Sequence, residues 1–260
     1  MDLSIIIPTF ERAELLDLGL KSLAQQNITS PYEIIVLNDG IEDRTQVTCS
    51  KYVGRLPIKY VFTGKRNKDG LKWRIPAFPI NIGIKLAQGK SIILTCPEVY
   101  VINDCIQNMI DLMNEDPNRL VITEGKDDRG AIFLEYVRSN YEEKILNNMF
   151  EKGVRNLQPL NVEYPFFMGI NRQKLLDIGG YDEDFGKGYC WDDLDVVTRL
   201  KNTGCHYHKI NSKIVHLYHP RLRYGTTDIQ SGWKVNEKMF KERITTVERN
   251  VGREWGVLDA

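Results

Sequence analysis

A chain of 260 residues, 42% hydrophobic and 27% charged, has the composition of a folded globular protein and excludes a disordered one. Its 35 basic and 35 acidic side chains cancel, which argues against a general nucleic-acid binder, whose phosphate partner demands a basic excess. The cysteines (Cys49, Cys96, Cys105, Cys190 and Cys205) contain no C-x-x-C pair, the usage of reduced thiols rather than of a disulfide framework or a zinc site.

The first half alternates strand and helix patterns. Leu3–Ile7 reads as a buried strand, and Leu15, Leu16, Leu20 and Leu23 recur at helical spacing within Ala13–Gln26. Glu33–Leu37 and Ile58–Phe62 are the next apolar strands, Pro76–Ala87 is a helix stopped by Gly89, and Ser91–Thr95 is a fourth strand. Asn103 is suited to cap a helix over Asp104–Asn114, with a strand following at Leu120–Thr123. Repeated βα units with short apolar strands predict an α/β fold whose mostly parallel sheet is covered by helices on both faces. Further on, strands are expected at Ala131–Val137, Pro165–Ile170, His206–Ile210 and Ile214–Tyr218, and helices at Asn140–Phe150, Gln173–Ile178 and Asp192–Asn202. With no Pro/Gly/Ser linker and no internal repeat, residues 1–230 read as one domain and 231–260 as a tail carrying a charged amphipathic helix over Ser231–Asn250.

Ligands of open α/β sheets bind beyond the carboxyl ends of the parallel strands. Pro8–Arg12, Asn38–Gly40 and Thr95–Glu98 all fall at such ends. Thr9 and its backbone can hydrogen-bond a base edge, and Glu11 can take ribose hydroxyls, although a helix entry alone also favours an acid there. Asn38-Asp39-Gly40 is equally the composition of a plain turn. A further group of carboxylates lies where Gly179-Gly180-Tyr181-Asp182-Glu183 and then Trp191-Asp192-Asp193-Leu194-Asp195 enter an amphipathic helix. A carboxylate there can accept a proton from an alcohol, while the helix dipole would favour acids at any such start.

Together these segments resemble the family-2 glycosyltransferases of the GT-A fold, over most of residues 3–220. Ile7–Arg12 is similar to that family's first-strand motif, and Asn38-Asp39-Gly40 to its D-D-G. Asn81–Gly89 is similar to its R-N-x-G-x-x-x-A-x-G helix, with Ile80 in place of the arginine. Gly188–Asp195 is similar to its G-W-G-x-E-D-x-D segment, with Asp192 at the glutamate. The resemblance implies an inverting transfer of a sugar from a nucleotide-sugar, a UDP-sugar, to an acceptor hydroxyl. It implies a nucleotide-binding half over 1–125, with Pro8, Thr9, Glu11, Arg12, Asp39 and Asn81 at the donor, and an acceptor-binding half over 126–230. Asp193 is then the general base, Asp192 holds acceptor hydroxyls, and Trp191 stacks on an apolar sugar face. Arg74, with Lys72 as the alternative, is expected to meet the diphosphate in place of the arginine that Ile80 replaces.

The expected cation site departs most from the family. Thr95-Cys96-Pro97-Glu98 keeps only Glu98 of the usual Asp-x-Asp triplet. His216 stands where several relatives contribute a metal-binding histidine, so Glu98 and His216 are the expected ligands, with Mn²⁺ preferred to Mg²⁺. A hydrogen-bonding core histidine is the alternative. The missing triplet equally suits a catalytically inactive relative that binds nucleotide-sugar or carbohydrate. A carbohydrate acceptor is favoured over a nucleic-acid one, which the fold does not exclude. No G-x-G-x-x-G follows the first strand, against a dinucleotide oxidoreductase. With no charged leader and no apolar run of the ~20 residues that span a bilayer, a cytoplasmic protein is expected, its basic tail also compatible with a membrane surface.

Overall fold

The structure is a computed structural model that describes residues 1–40, 42–64, 75–139, 142–221 and 227–258. The first half runs β1 (Leu3–Thr9), α1 (Ala13–Leu23), β2 (Tyr32–Asn38), α2 (Thr45–Ser50), β3 (Ile58–Phe62), α3 (Ala77–Leu86) and β4 (Ser91–Thr95). Then come β5 (Val99–Val101), α4 (Ile106–Glu115), β6 (Arg119–Asp128), α5 (Ile132–Ser139), α6 (Glu143–Lys152), β7 (Leu157–Pro159) and β8 (Phe167–Asn171). The last part is α7 (Arg172–Asp177), a 3₁₀ turn (Glu183–Lys187), α8 (Asp192–Asn202), β9 (His206–His216) and α9 (Thr227–Arg243).

One sheet has the order β3-β2-β1-β4-β8-β6-β9-β5, with β7 added beside β6. β1 to β4 run parallel, β6 and β9 share their direction, and β5, β7 and β8 oppose it. The period-2 geometry of a strand divides β1 between two cores. Leu3, Ile5 and Ile7 join α1 and α4 through Leu16, Leu20, Met109 and Ile110. Ile6 points the other way, with α3 and α8 through Ile80, Ile84, Val196 and Leu200. Each such aliphatic side chain stabilises the fold by roughly 1.5–3 kcal/mol when fully buried. Gly83 explains how closely α3 lies on β1, because a Cβ there would sit 2.7 Å from Ile6 Cγ2. A third core, including Tyr100, Phe133, Val137, Leu146 and Val215, joins α5 and α6 to β5 and β9.

Four local expectations change. Ala131–Val137 is a helix rather than a strand: Phe133, Leu134 and Val137 bury one helical face, and Asp128 Oδ2 accepts from Leu134 N at 2.9 Å. The expected strands at 206–210 and 214–218 are one strand, β9, which ends at His216 and absorbs its break as a bulge opposite Ile122 and Glu124. Asn103 does not cap α4; its amide donates to Glu143 and Asn147, while Gln26 Oε1 accepts from Cys105 N at 2.9 Å and Ile106 N at 3.4 Å. The tail helix ends at Arg243 instead of residue 250, and the chain beyond it folds back so that Arg249 and Asn250 are buried. Among the described residues no helix is long and apolar enough to cross a membrane.

Candidate active site

The parallel strands deliver their polar ends to one edge. Asp39 N donates to Thr9 O at 2.8 Å, tying the ends of β2 and β1 together. Thr63 Oγ1 donates to Asp39 Oδ1 at 2.5 Å, which fixes that carboxylate at the rim. Thr9 is buried, and its Oγ1 has no hydrogen-bond partner among the described residues. Pro8 pairs in register with Leu37 one step inside the edge. Glu11 is exposed in the left-handed region at φ 51°, a strained conformation for a side chain with a Cβ. Arg12 follows, its Nε donating to Glu98 Oε1 at 3.0 Å. A cleft of about 540 Å³ opens beside Glu11, Arg12, Arg44, Tyr218 and His219, and its lining includes neither Asp39 nor Asp193.

Beside Arg12 lies a compact cluster from two segments, the turn after β4 and the end of β9. Ligand atoms of Cys96, Glu98 and His216 all lie within 4.8 Å of one another. Register brings His216 there, because it pairs with Val99 across β5 and β9, and Leu217 N donates to Glu98 O at 2.8 Å. Burial, then the charge of Glu98, pushes the Cys96 thiol well up. His216 Nδ1 faces Asp127 Oδ1 at 3.2 Å. Burial alone would raise the Asp127 carboxyl, but hydrogen bonds from His216, Arg221 and Arg129 prevail and hold it well below the usual carboxylate range. Arg221 Nη2 lies 3.3 Å from the same Nδ1, and in the tautomer that donates Nδ1–H to Asp127 it is Nε2 that carries the free lone pair with which histidine ligates a cation. The oxygen and nitrogen of Glu98 and His216 therefore fit a divalent ion.

The charge of Asp193 reaches this cluster and adds, as the smallest contribution, to the rise of the Cys96 thiol. Asp193 starts α8 with Asp192 and Asp195, three acids in one helical turn. Tyr181 Oη donates to Asp193 Oδ1 at 3.3 Å. Burial raises the Asp193 carboxyl to about 6 against this lowering hydrogen bond. Asp192 is buried, its Oδ2 lacks a hydrogen-bond partner among the described residues, and burial followed by the charge of Asp193 pushes it well up. Two acids that cannot both ionise cheaply make a proton-accepting pair near neutral pH.

The backbone into α8 is strained, with Cys190 at φ 58° and Trp191 at φ 75°. α9 holds it: Asn236 Nδ2 donates to Cys190 O at 2.8 Å and to Phe185 O at 2.9 Å, and Tyr189 N donates to Gly232 O at 3.0 Å. Trp191 packs edge-on to Trp233 with ring centroids 5.0 Å apart and lies 5.2 Å from Phe240. Asp195 faces inward to Arg199 at 2.7 Å, and Arg199 also donates to Ile178 O and Gly180 O. Gly179 and Gly180 make that approach in the left-handed region, at φ 73° and 67°.

Of the residues singled out from sequence, Pro8, Thr9, Glu11, Arg12 and Asp39 share the first two strand ends, and Glu98 and His216 meet. Asn81 takes part in the fold. It has no exposed surface, its Nδ2 donates to Tyr181 O and Glu183 Oε1, and its Oδ1 accepts from Tyr181 N, so it builds the turn over Tyr181–Glu183. Lys72 and Arg74 lie outside the described residues. The sequence reading missed Cys96 as a member of the cluster, although it precedes Glu98 with ligand-x-ligand spacing. Asp127, Arg221, Asn236 and Arg249 carry no local motif and are found only through tertiary contacts.

The glycosyl transferase family 2 profile matches residues 4–179. The chain is 25% identical over 276 residues to chondroitin synthase of Pasteurella multocida (strain Pm70), covering 96% of this chain and 28% of that protein. It is 41% identical over 225 residues to validoxylamine A glucosyltransferase of Streptomyces hygroscopicus subsp. jinggangensis (strain 5008), covering 78% of this chain and 52% of that protein. The chain thus spans about half or less of these relatives' length. The fold matches the S. aureus TarS fragment solved with UDP, at TM-score 0.59 and 18% identity over 85% of this chain and 61% of that one. The same fragment with UDP-GlcNAc matches at TM-score 0.58 and 17% identity over 91% and 65%.

Proposed function

The chain belongs to glycosyl transferase family 2, and from that premise we propose that it moves a sugar from a UDP-sugar to an acceptor hydroxyl with inversion, using Asp193 as general base. The observation that carries the reading is the Asp193 carboxyl itself: half-buried, raised to about 6, and set beside the Cys96–Glu98–His216 cluster. A base of that strength is largely ionised at neutral pH yet still basic enough to take an alcohol proton as the bond forms. Asp193 removes the acceptor hydroxyl proton, the oxygen attacks the anomeric carbon opposite the diphosphate, and the carbon–oxygen bond to UDP breaks. One in-line displacement inverts the anomeric centre.

The donor half of the reading rests on the strand edge. Thr9, Glu11 and Asp39 hold uracil and ribose, with Pro8 and Arg12 shaping the same loop. UDP bound to structurally similar chains supports a uridine donor. Asp192 and Trp191 face the acceptor, and a carbohydrate is the acceptor class that an aromatic ring beside carboxylates suits best. Glu98 and His216 would hold a divalent cation, which would supply charge neutralisation for the departing diphosphate. The test is a panel of UDP-sugars scored for UDP release with and without simple sugar acceptors, and by the anomeric configuration of any product. Failure of every UDP-sugar to bind or turn over would reject the donor assignment.

A further inference from the structure

The expectation of Mn²⁺ considers only one oxygen and one nitrogen ligand. The structure adds a sulfur: Cys96 Sγ stands in the same group as Glu98 and His216, with all ligand atoms within 4.8 Å. We propose that Cys96 is the third protein ligand, and that the cation held here is of the thiophilic Zn²⁺ class rather than Mn²⁺ or Mg²⁺. This rests on the glycosyl-transfer reading for the cation's purpose and not for its binding.

The geometry supports a shell closed around one ion. Bonds of about 2.0–2.3 Å to N, O and S in a tetrahedron put ligand atoms about 3.3–3.8 Å apart. The present spread of up to 4.8 Å is about 1 Å or more wider than that shell. His216 is already oriented, since Nδ1 faces Asp127 at 3.2 Å and Phe166 packs against its ring at a centroid distance of 5.4 Å. Arg12 occupies Glu98 Oε1 at 3.0 Å, which leaves Oε2 for the ion, and His219 Nε2 stands 4.0 Å from the same Oε1. Three protein ligands and one open position are the pattern of catalytic rather than structural sites. The open position suits an oxygen of a diphosphate.

Ligand softness decides the ion. Thiolate donors select Zn²⁺ and Co²⁺ over Mn²⁺ and Mg²⁺, which prefer all-oxygen shells. Replacing a carboxylate by a cysteine two residues before Glu98 therefore changes the class of ion without removing the site.

Co²⁺ titrated into the reduced, chelator-stripped full chain, without nucleotide, tests the proposal. The expected result is a near-ultraviolet thiolate-to-cobalt charge-transfer band saturating at one ion per chain. It should vanish in Cys96→Ser and persist in Cys190→Ser, the other half-buried thiol. As a second variant, Cys96→Asp should still bind, but with a Zn²⁺-to-Mn²⁺ affinity ratio at least about tenfold smaller than in the wild type, read by metal-dependent thermal shift. No band, a band surviving in Cys96→Ser, or an unchanged ratio in Cys96→Asp would overturn the proposal. UDP binding, measured separately by calorimetry, keeps the two readings apart: a band with no UDP binding leaves the site standing and removes only the donor reading.

Discussion

Arg249, from the chain after the last helix, meets Asp195 in the first turn of α8 at 2.7 Å, with side-chain exposures of 3% and 1%. The C-terminal segment therefore grips the helix start that presents Asp193. Arg249 also reaches Asp182 at 3.2 Å, and Arg243 and Arg253 close around Asp182 and Asp184. Cations from the tail satisfy the buried Asp182 and the partly exposed Asp184 of the Gly179–Lys187 turn.

Removing one partner of such a pair leaves an unpaired buried charge. Arg249→Leu should cost roughly 3–5 kcal/mol of unfolding free energy. Urea denaturation would show it as a lower midpoint at unchanged slope. A loss below about 0.5 kcal/mol, the scale of an ordinary surface change, would mean that the pair does not hold the turn.

The raised Asp193 carboxyl makes activity and stability respond oppositely to pH. The base must be ionised, so turnover should rise with pH through about 6. For stability, the native state binds more protons than the unfolded one between the ordinary value of 3.8 and about 6, so stability falls as pH rises across that window. Asp193→Asn should remove this loss and melt at a higher temperature than wild type at neutral pH. Paired pH series of turnover and melting temperature check both signs; a variant that melts lower would contradict the burial account.

At the donor edge, Asp39 is held by Thr63 and by its backbone link to Thr9. Asp39→Ala should weaken UDP binding by roughly 1–3 kcal/mol, the scale of a lost hydrogen bond to a charged group. Unchanged affinity in calorimetry would move the uracil site elsewhere.

Asp127 faces His216 Nδ1 at 3.2 Å and lies outside the Cys96–Glu98–His216 group proposed to hold the cation. Asp127→Asn should lower cation affinity ~10–100-fold while keeping one ion per chain, as loss of a partner behind a ligating histidine does. Unaltered affinity, read from cobalt absorption, would show that His216 needs no such support.

Much of the fold was legible because the strands are short, apolar and buried on both faces, as Leu3–Ile7 and Ile34–Leu37 are. The second half was harder. Ala131–Val137 is too short for its apolar residues to separate period 2 from period 3.6, and the capping role of Asp128 decides it. Residues 206–218 carry a bulge that looks like a strand break in sequence. In the proposed site, Asp192, Asp193 and Glu98 stand out in sequence as acids at helix and strand ends, whereas His216 enters only through the family resemblance. Cys96 carries no signal in the spacing of the cysteines, because its neighbours in the cluster are a carboxylate and an imidazole rather than a second thiol. The Asp182–Arg249–Asp195 network joins residues tens of positions apart, and no local pattern encodes it.

The most direct test of the central claim compares Asp193→Asn with wild type, using UDP-sugar turnover at saturating acceptor alongside UDP affinity by calorimetry. The amide keeps the shape of the carboxylate and cannot take the proton. Turnover should fall by a factor on the order of 10²–10⁴ with UDP affinity nearly unchanged. Wild-type turnover in the variant would contradict the account and pass the base to another carboxylate, Asp192 being next in position.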